Sequence, residues 1–302
     1  MQLLHSATRN YSWGSRTLIP HLQGQPDSDK PVAELWFGAH PGDPSTVDGR
    51  LLNEVIAEDP AGQLGGRVSA EYGERLPFLL KVLAAEEPLS LQAHPSKAQA
   101  EEGFARENAA GIELTASNRN YKDDNHKPEL IVALTDFYAM AGFRPLARTR
   151  ELFAALECPE LDHYVAMLDD DPSATTESAN LRVLFTTWIT IPSAKRKELI
   201  SAIVAAGERL IAADPADWKS RVMSTVLDLN QRYPGDIGVL GALLLNHIEL
   251  SPGEAVYLDA GQLHAYVSGL GVEIMANSDN VVRAGLTPKH IDVPLLLTLA
   301  NA

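Results

Sequence analysis

The chain is nearly free of cysteine. Cys158 is the only one in 302 residues, which excludes an internal disulfide framework and any metal site built from several thiolates. A bound metal would have to be held by His, Gln, Asp or Glu. Basic residues are also scarce, with 25 Lys and Arg against 40 Asp and Glu and a formal charge of −15. A phosphate backbone would find no matching basic face, so nucleic acid is not an expected partner. A small anion is still allowed, because a few local cations can focus a field against a negative background. No run approaches the roughly 18 apolar residues that span a bilayer. The opening MQLLHSATRNYSWGS lacks the charged start and apolar stretch of a leader. No membrane partner is expected, and a cytoplasmic location is. Internal repeats and low-complexity tracts are missing too.

What is present reads as a folded protein. Hydrophobic residues make up 45% and charged residues 22%, close to ordinary globular composition, and the length predicts about two domains. Three zones differ in texture. Residues 1–145 hold short apolar runs bounded by Pro and Gly, such as LPFLLKVLA (76–84), EPLSLQAHP (87–95) and ELIVALTDFYAMAGF (129–143), the pattern of β structure. Residues 146–232 place Leu199, Ile200, Ile203 and Val204, then Trp218, Val222, Val226 and Leu229, near a helical period. Strand-and-turn texture returns after YPGDIG (233–238). The economical organisation is a β domain of residues 1–145 plus 233–302, interrupted by a helical insertion of residues 146–232. Residues 104–128 are polar and without clear periodicity, which predicts a long loop over something functional.

Three stretches carry chemistry. In Leu89–Pro95 an extended chain would send Leu89, Leu91 and Ala93 into a core, leaving Ser90, Gln92 and His94 on the other face. Taken alone, Gln-x-His more often describes a half-exposed strand with a surface histidine. In Lys127-Pro128-Glu129 the lysine and carboxylate share a face. Proline between them fits an edge or a strand's first residues, and a solvated strand start is the plain alternative. The lysine could bind phosphate or shuttle a proton. The third stretch runs from Pro252 to Tyr266: a strand over 254–258, a turn at Asp259-Ala260-Gly261, then Gln262, His264 and Tyr266 on one face. Gly253, five residues, Asp259, one residue, Gly261, two residues and His264 resemble the second cupin motif, with Asp259 where proline is usual. Gln92, His94, Glu129 and His264 together make a nitrogen and oxygen donor set suited to Zn²⁺. In the stretch from Gly271 to Lys289, Glu273 taken alone reads as a solvated strand carboxylate and Arg283 as a surface ion-pair partner.

Read together, YSWGS (11–15), AELWFGAHPGDPS (33–45), LSLQAHPSK (89–97), NYKDDNHKPEL (120–130), the Gly253–His264 turn and VEIMANSDNVVRAGLTPKH (272–290) resemble the type I mannose-6-phosphate isomerases, zinc-dependent cupins. The resemblance implies a mainly β cupin, a jelly-roll sandwich or barrel, with an inserted α-helical domain. It implies one Zn²⁺ per chain bound by Gln92, His94, Glu129 and His264. It makes Arg283 catalytic, puts Lys127 and Glu273 in the substrate pocket, and sets Ser90 and Lys81 near the phosphate end. The general base stays open among Glu273, Lys127 and a zinc-bound water. The expected reaction interconverts mannose 6-phosphate and fructose 6-phosphate through an enediol, with a small sugar phosphate as partner and a monomer as the expected state. The family usually continues past the position of Pro294 into a second β domain, expected to be missing from a chain that stops at Ala302. Two rivals remain: a sugar-phosphate-binding cupin with weak or no catalysis, and an iron-dependent cupin oxygenase.

Overall fold

The computed structural model describes residues 1–168 and 174–301; residues 169–173 of the expected helical insertion and Ala302 of the expected β domain lie outside the described residues. Ten strands form one connected antiparallel sheet that divides around a single long strand, β12 (His264–Ala276). The second half of β12 pairs with β6 (Phe78–Ala85) on one side and β8 (Glu129–Ala133) on the other. β6 continues to β3 (Glu34–Phe37) and β2 (Ala7–Arg9), while β8 continues to β11 (Ala255–Leu258). The first half of β12 pairs instead with β9 (Phe137–Phe143) and, at His264 alone, with β7 (Leu91–Ala93). β9 continues to β10 (Leu245–Leu250), and β7 to β13 (Val282–Gly285). A small separate sheet joins β1 (Leu4–His5), β4 (Thr46–Val47) and β5 (Arg50–Leu51).

β12 changes partners at Gly269, whose φ of +125° is closed to other side chains, and a Cβ there would stand 2.6 Å from the Asp136 carbonyl oxygen. The bend gives the protein two sheet halves that share a strand.

Alternation then sorts side chains between two cores. Phe137, Ala139 and Ala141 of β9, with Tyr266 of β12, join Leu83 and Ile131 in the core between the sheet halves. Met140, Leu91, Ala93, Ala265, Val282 and Ala284 point the other way, into the larger core shared with the helices.

Those helices run between β9 and β10: α6 (Leu146–Leu156), α7 (Pro159–Val165), α8 (Ala174–Thr190), α9 (Ser193–Ala213), α10 (Trp218–Arg232) and α11 (Ile237–Ala242). The periodic residues of α9 and α10 are the buried ones, including Leu199, Ile200 and Ile203 against Val222, Val226 and Leu229. The helical run continues to Ala242 rather than ending at 232. Among the described residues no helix is long and apolar enough to cross a membrane.

The first zone is less purely β than its texture suggests. It contains α1 (Leu18–Leu22), α2 (Leu52–Glu58), α3 (Pro60–Leu64), α4 (Gly66–Tyr72) and α5 (Lys97–Ala109), and the chain ends with α12 (Val293–Leu299). α5 takes up the first residues of the segment expected to be a loop. Its helix is set by a capping box, in which the Ser96 hydroxyl accepts from the Gln99 N–H and the Gln99 side chain accepts from the Ser96 N–H. It buries only Ala100, Gly103 and Glu107, a stripe too small and too polar to register as amphipathic. Leu89 also departs from expectation: it lies before β7 and packs against the core between the sheet halves, opposite to Leu91 and Ala93.

Candidate metal centre

The centre lies where the two sheet halves face each other. Glu129 opens β8, His264 opens β12, and His94 follows β7 by one residue. Backbone contacts fix all three. The Gly261 N–H donates to the His94 carbonyl at 2.9 Å, and Gly261 holds φ +75° where a Cβ would stand 2.5 Å from the Leu299 carbonyl oxygen. Asp259 serves the turn in proline's place: its carboxylate accepts from the Ala260 N–H at 2.7 Å. Gln262 belongs to this turn and not to the strand; its side-chain oxygen accepts from the Asp259 N–H at 3.3 Å. It therefore does not continue the face of His264 and Tyr266, contrary to the alternation read from sequence.

The donor atoms converge. One ligand atom each from His94, Glu129 and His264 lies within 4.8 Å of the others, and all three residues are buried. His94 Nε2 is 3.3 Å from Glu129 Oε1 and His264 Nε2 is 3.3 Å from Glu129 Oε2. Neither contact is a hydrogen bond, and both Nε2 atoms are buried without a hydrogen-bond partner among the described residues. The reason is on the far side of each ring. Nδ1 of His94 lies 2.9 Å from the Asn280 carbonyl oxygen and Nδ1 of His264 lies 2.9 Å from the Gln262 carbonyl oxygen. A carbonyl only accepts, so each Nδ1 carries the proton and each Nε2 presents a lone pair.

Two lone pairs aimed at a carboxylate repel unless a cation sits among them. An unsatisfied buried acceptor costs roughly 1–3 kcal/mol, so this arrangement has the chemistry of a divalent metal site. Protonation supports the same conclusion. Burial pushes the His94 imidazole down to about 4, the neutral ligand form at pH 7. Glu129 stays ionised: burial opposes its charge, but the Lys127 ammonium beside it holds its carboxyl below the usual range.

Around these three lie the other residues expected from sequence. Gln92, on β7, sits directly across from both His264 and Arg283, so the three side chains share the inner face. Arg283 forms no ion pair among the described residues, and burial lowers its pKa. Lys127 Nζ lies 3.4 Å from Glu129 Oε1. Glu273 is only 2% exposed, because β12 is an interior strand and its odd-numbered residues from Gly271 face inward beside Ile131 and Ala133. Burial, then the Glu129 charge, pushes its carboxyl up to about 7, and the Tyr266 hydroxyl donates to it. Ser90 is half-buried ahead of β7.

Lys81 stands across from Glu273 on one side and Trp36 on the other. Its ammonium is 3.6 Å from Glu34 and 4.9 Å from the Trp36 ring. Glu34 and Trp36 belong to the AELWFGAHPGDPS stretch and give no local sign of chemistry. They are recognised only when β3 pairs with β6. Burial opposes the Lys81 charge, but Glu34, Glu273 and Glu129 outweigh it and raise its pKa.

Asn280 is the other residue that spacing alone cannot find. Its side-chain oxygen accepts from the Lys122 N–H at 2.7 Å and its amide donates to the Asp123 and Asn125 carbonyls at 2.8 and 2.9 Å. Its own carbonyl orients His94. The polar 110–128 segment is thereby tied to the metal centre.

The Lys81→Met protein should lose stability in a pH-dependent way. Glu273 binds its proton more tightly folded than unfolded, its pKa moving from 4.5 to about 7, so stability falls as pH rises through that window. Without the neighbouring ammonium that fall deepens. Urea unfolding should show a loss already near pH 5, where buried Glu34 loses its ammonium partner, growing to about 3–5 kcal/mol at pH 8 as Glu273 also ionises without one. An equal loss at both values would contradict this charge balance.

Residues 1–146 match a family model described as phosphomannose isomerase type I, catalytic domain. Mannose-6-phosphate isomerase of Escherichia coli strain K12 is 42% identical over 305 residues, covering 98% of this chain and 74% of that protein. The Homo sapiens mannose-6-phosphate isomerase is 37% identical, covering 99% of this chain and 72% of its own length. Among solved structures, mannose 6-phosphate isomerase from Salmonella typhimurium bound to its substrate and a zinc atom superposes with a TM-score of 0.87. It is 39% identical, covering 100% of this chain and 74% of that one.

Proposed function

The chain belongs to the type I phosphomannose isomerase family, and from that premise we propose that it is a zinc-dependent aldose–ketose isomerase acting on mannose 6-phosphate and fructose 6-phosphate through an enediol. One observation carries the reading: two buried imidazole lone pairs and an ionised carboxylate within 4.8 Å of one another. His94, Glu129 and His264 would hold the zinc, with Gln92 as fourth ligand. The bound ion supplies Lewis-acid polarisation of the sugar's carbonyl and hydroxyl oxygens.

The remaining work falls to the side chains around it. Proton transfer between C1 and C2 needs a base whose pKa lies near the working pH. Glu273, at about 7 and held in one orientation by the Tyr266 hydroxyl, fits that need. Lys81 places a positive charge between Glu273 and Glu34. Lys127 beside Glu129, and Arg283, which has no ion pair among the described residues, supply positive charge where the sugar's oxygens become negative. Ser90, at the entry to β7, is assigned to the phosphate end.

We also read the two sheet halves as the jelly roll of a cupin, formed by residues 1–145 plus 233–302. Helices α6–α10 belong to the inserted helical domain of residues 146–232, and a cytoplasmic location suits an enzyme of free sugar phosphates. Chelation should abolish isomerisation of mannose 6-phosphate, and added zinc should restore it in a coupled assay. Full activity in metal-free protein would refute the metal role; restoration by iron alone, with oxygen consumed, would favour an oxygenase.

A further inference from the structure

A second charged cavity lies on the other side of the sheet from the metal centre. Its volume is about 810 Å³, and it is enclosed by the start of α6, by α10, and by the outer faces of β9, β10 and β12. Val267 and Ser268 line it, whereas their neighbours His264 and Tyr266 look inward to the metal centre and the core between the sheet halves. Three arginines border it: Arg144, Arg148 and Arg221.

Arg144 is 5% exposed and forms no ion pair among the described residues. Its Nη2 donates to the Leu243 carbonyl, while Nε and Nη1 are buried with no hydrogen-bond partner among the described residues. Its guanidinium lies 5.7 Å from the Trp218 ring centre, that of Arg148 4.1 Å and the Lys219 ammonium 5.4 Å, so one indole carries three like charges. Burial, reinforced by Arg148, lowers the Arg144 pKa to about 10. The other titratable groups facing the cavity do not neutralise this charge. His247 is held neutral by burial, at about 4. Glu249 accepts from the Tyr138 hydroxyl at 3.2 Å and is the one carboxylate in the lining.

A buried guanidinium with no counter-charge is costly to keep, and clustered arginines in a chain of net charge −15 mark a place where an anion is expected. We propose that this cavity binds a small phosphate-bearing ligand at a site separate from the metal centre. Guanidinium forks match phosphate oxygens two at a time. Arg148 and Arg221 provide exposed contacts, Arg144 a buried charge behind them, and Trp218 a wall between Arg144 and Arg148.

Calorimetry with inorganic phosphate tests it, using zinc-loaded protein free of sugar phosphate, because fructose 6-phosphate carries the same group and would compete for this cavity. The wild type should show a saturable phosphate site beyond any in the catalytic pocket. In the Arg148→Ala/Arg221→Ala protein, both substitutions being at the cavity's outer wall, affinity should fall at least about tenfold while kcat and KM for mannose 6-phosphate stay unchanged. Absence of that site in the wild type, or equal affinity in the double variant, would overturn the proposal. So would a matching loss of isomerase activity, which would assign these arginines to the catalytic site.

Discussion

The Glu129→Gln enzyme is expected to lose its zinc and its activity together while gaining stability in the metal-free state. In the wild type, each Glu129 oxygen faces an imidazole lone pair at 3.3 Å with no hydrogen between them. An amide of the same shape can donate one hydrogen to His94 or His264 and so satisfies an acceptor that otherwise needs a cation. It also removes a buried negative charge, although Lys127 then loses its partner. Metal binding suffers from the same change, because a neutral amide is a far weaker ligand for a hard divalent ion than a carboxylate. Lewis-acid polarisation is worth several kcal/mol, and each ~1.4 kcal/mol is tenfold in rate, so kcat/KM should fall by roughly three orders of magnitude. Wild-type protein should gain on the order of 4 kcal/mol of stability when zinc stands at about 1,000 times its Kd, and the variant almost none. Metal analysis and thermal unfolding with and without zinc read both effects. Retention of one zinc per chain by the variant would show that Glu129 is not a ligand.

That candidate ligands could be picked out in the sequence at all has a local cause. Gln92 and His94 fall on one face because strand alternation depends only on neighbouring residues, and the turn before His264 has a spacing set by backbone geometry around Gly261. Glu129 is legible through its neighbours Lys127 and Pro128. What escapes reading is whatever depends on partners distant in sequence. Glu273 has the pattern of a solvated carboxylate until β12 is seen flanked by both β6 and β8. Glu34 and Trp36 become polar neighbours of Lys81 only through the register of β3 on β6. Asn280 orients His94 with a backbone carbonyl 186 residues away in sequence, a role no side-chain pattern encodes. In the fold, helices with broad apolar stripes such as α10 announce themselves, whereas α5, buried through Ala100, Gly103 and Glu107, does not.

Arg283→Ala separates two roles that sequence leaves entangled. Arg283 lies on the inner face of β13 across from Gln92, itself across from His264, so it is two strands from a candidate metal ligand. It has no carboxylate partner among the described residues, and burial alone shifts its pKa. A half-buried cation without a counter-ion is stabilised most when negative charge appears beside it, and in this reaction that charge develops on the enediol oxygens. An interaction made mainly in the transition state lowers kcat and kcat/KM equally. By analogy with removal of one oxyanion donor, kcat should fall about 10²–10³-fold with KM nearly unchanged. Arg283→Lys, which keeps the charge but not the planar fork, should recover only part of the loss. Were Arg283 instead to hold the substrate phosphate, KM would rise and kcat would survive, and mannose lacking the phosphate would be affected little by the substitution. Steady-state kinetics of the two variants, with zinc content confirmed, decide between an arginine that stabilises the reacting oxygens and one that anchors the far end of the sugar.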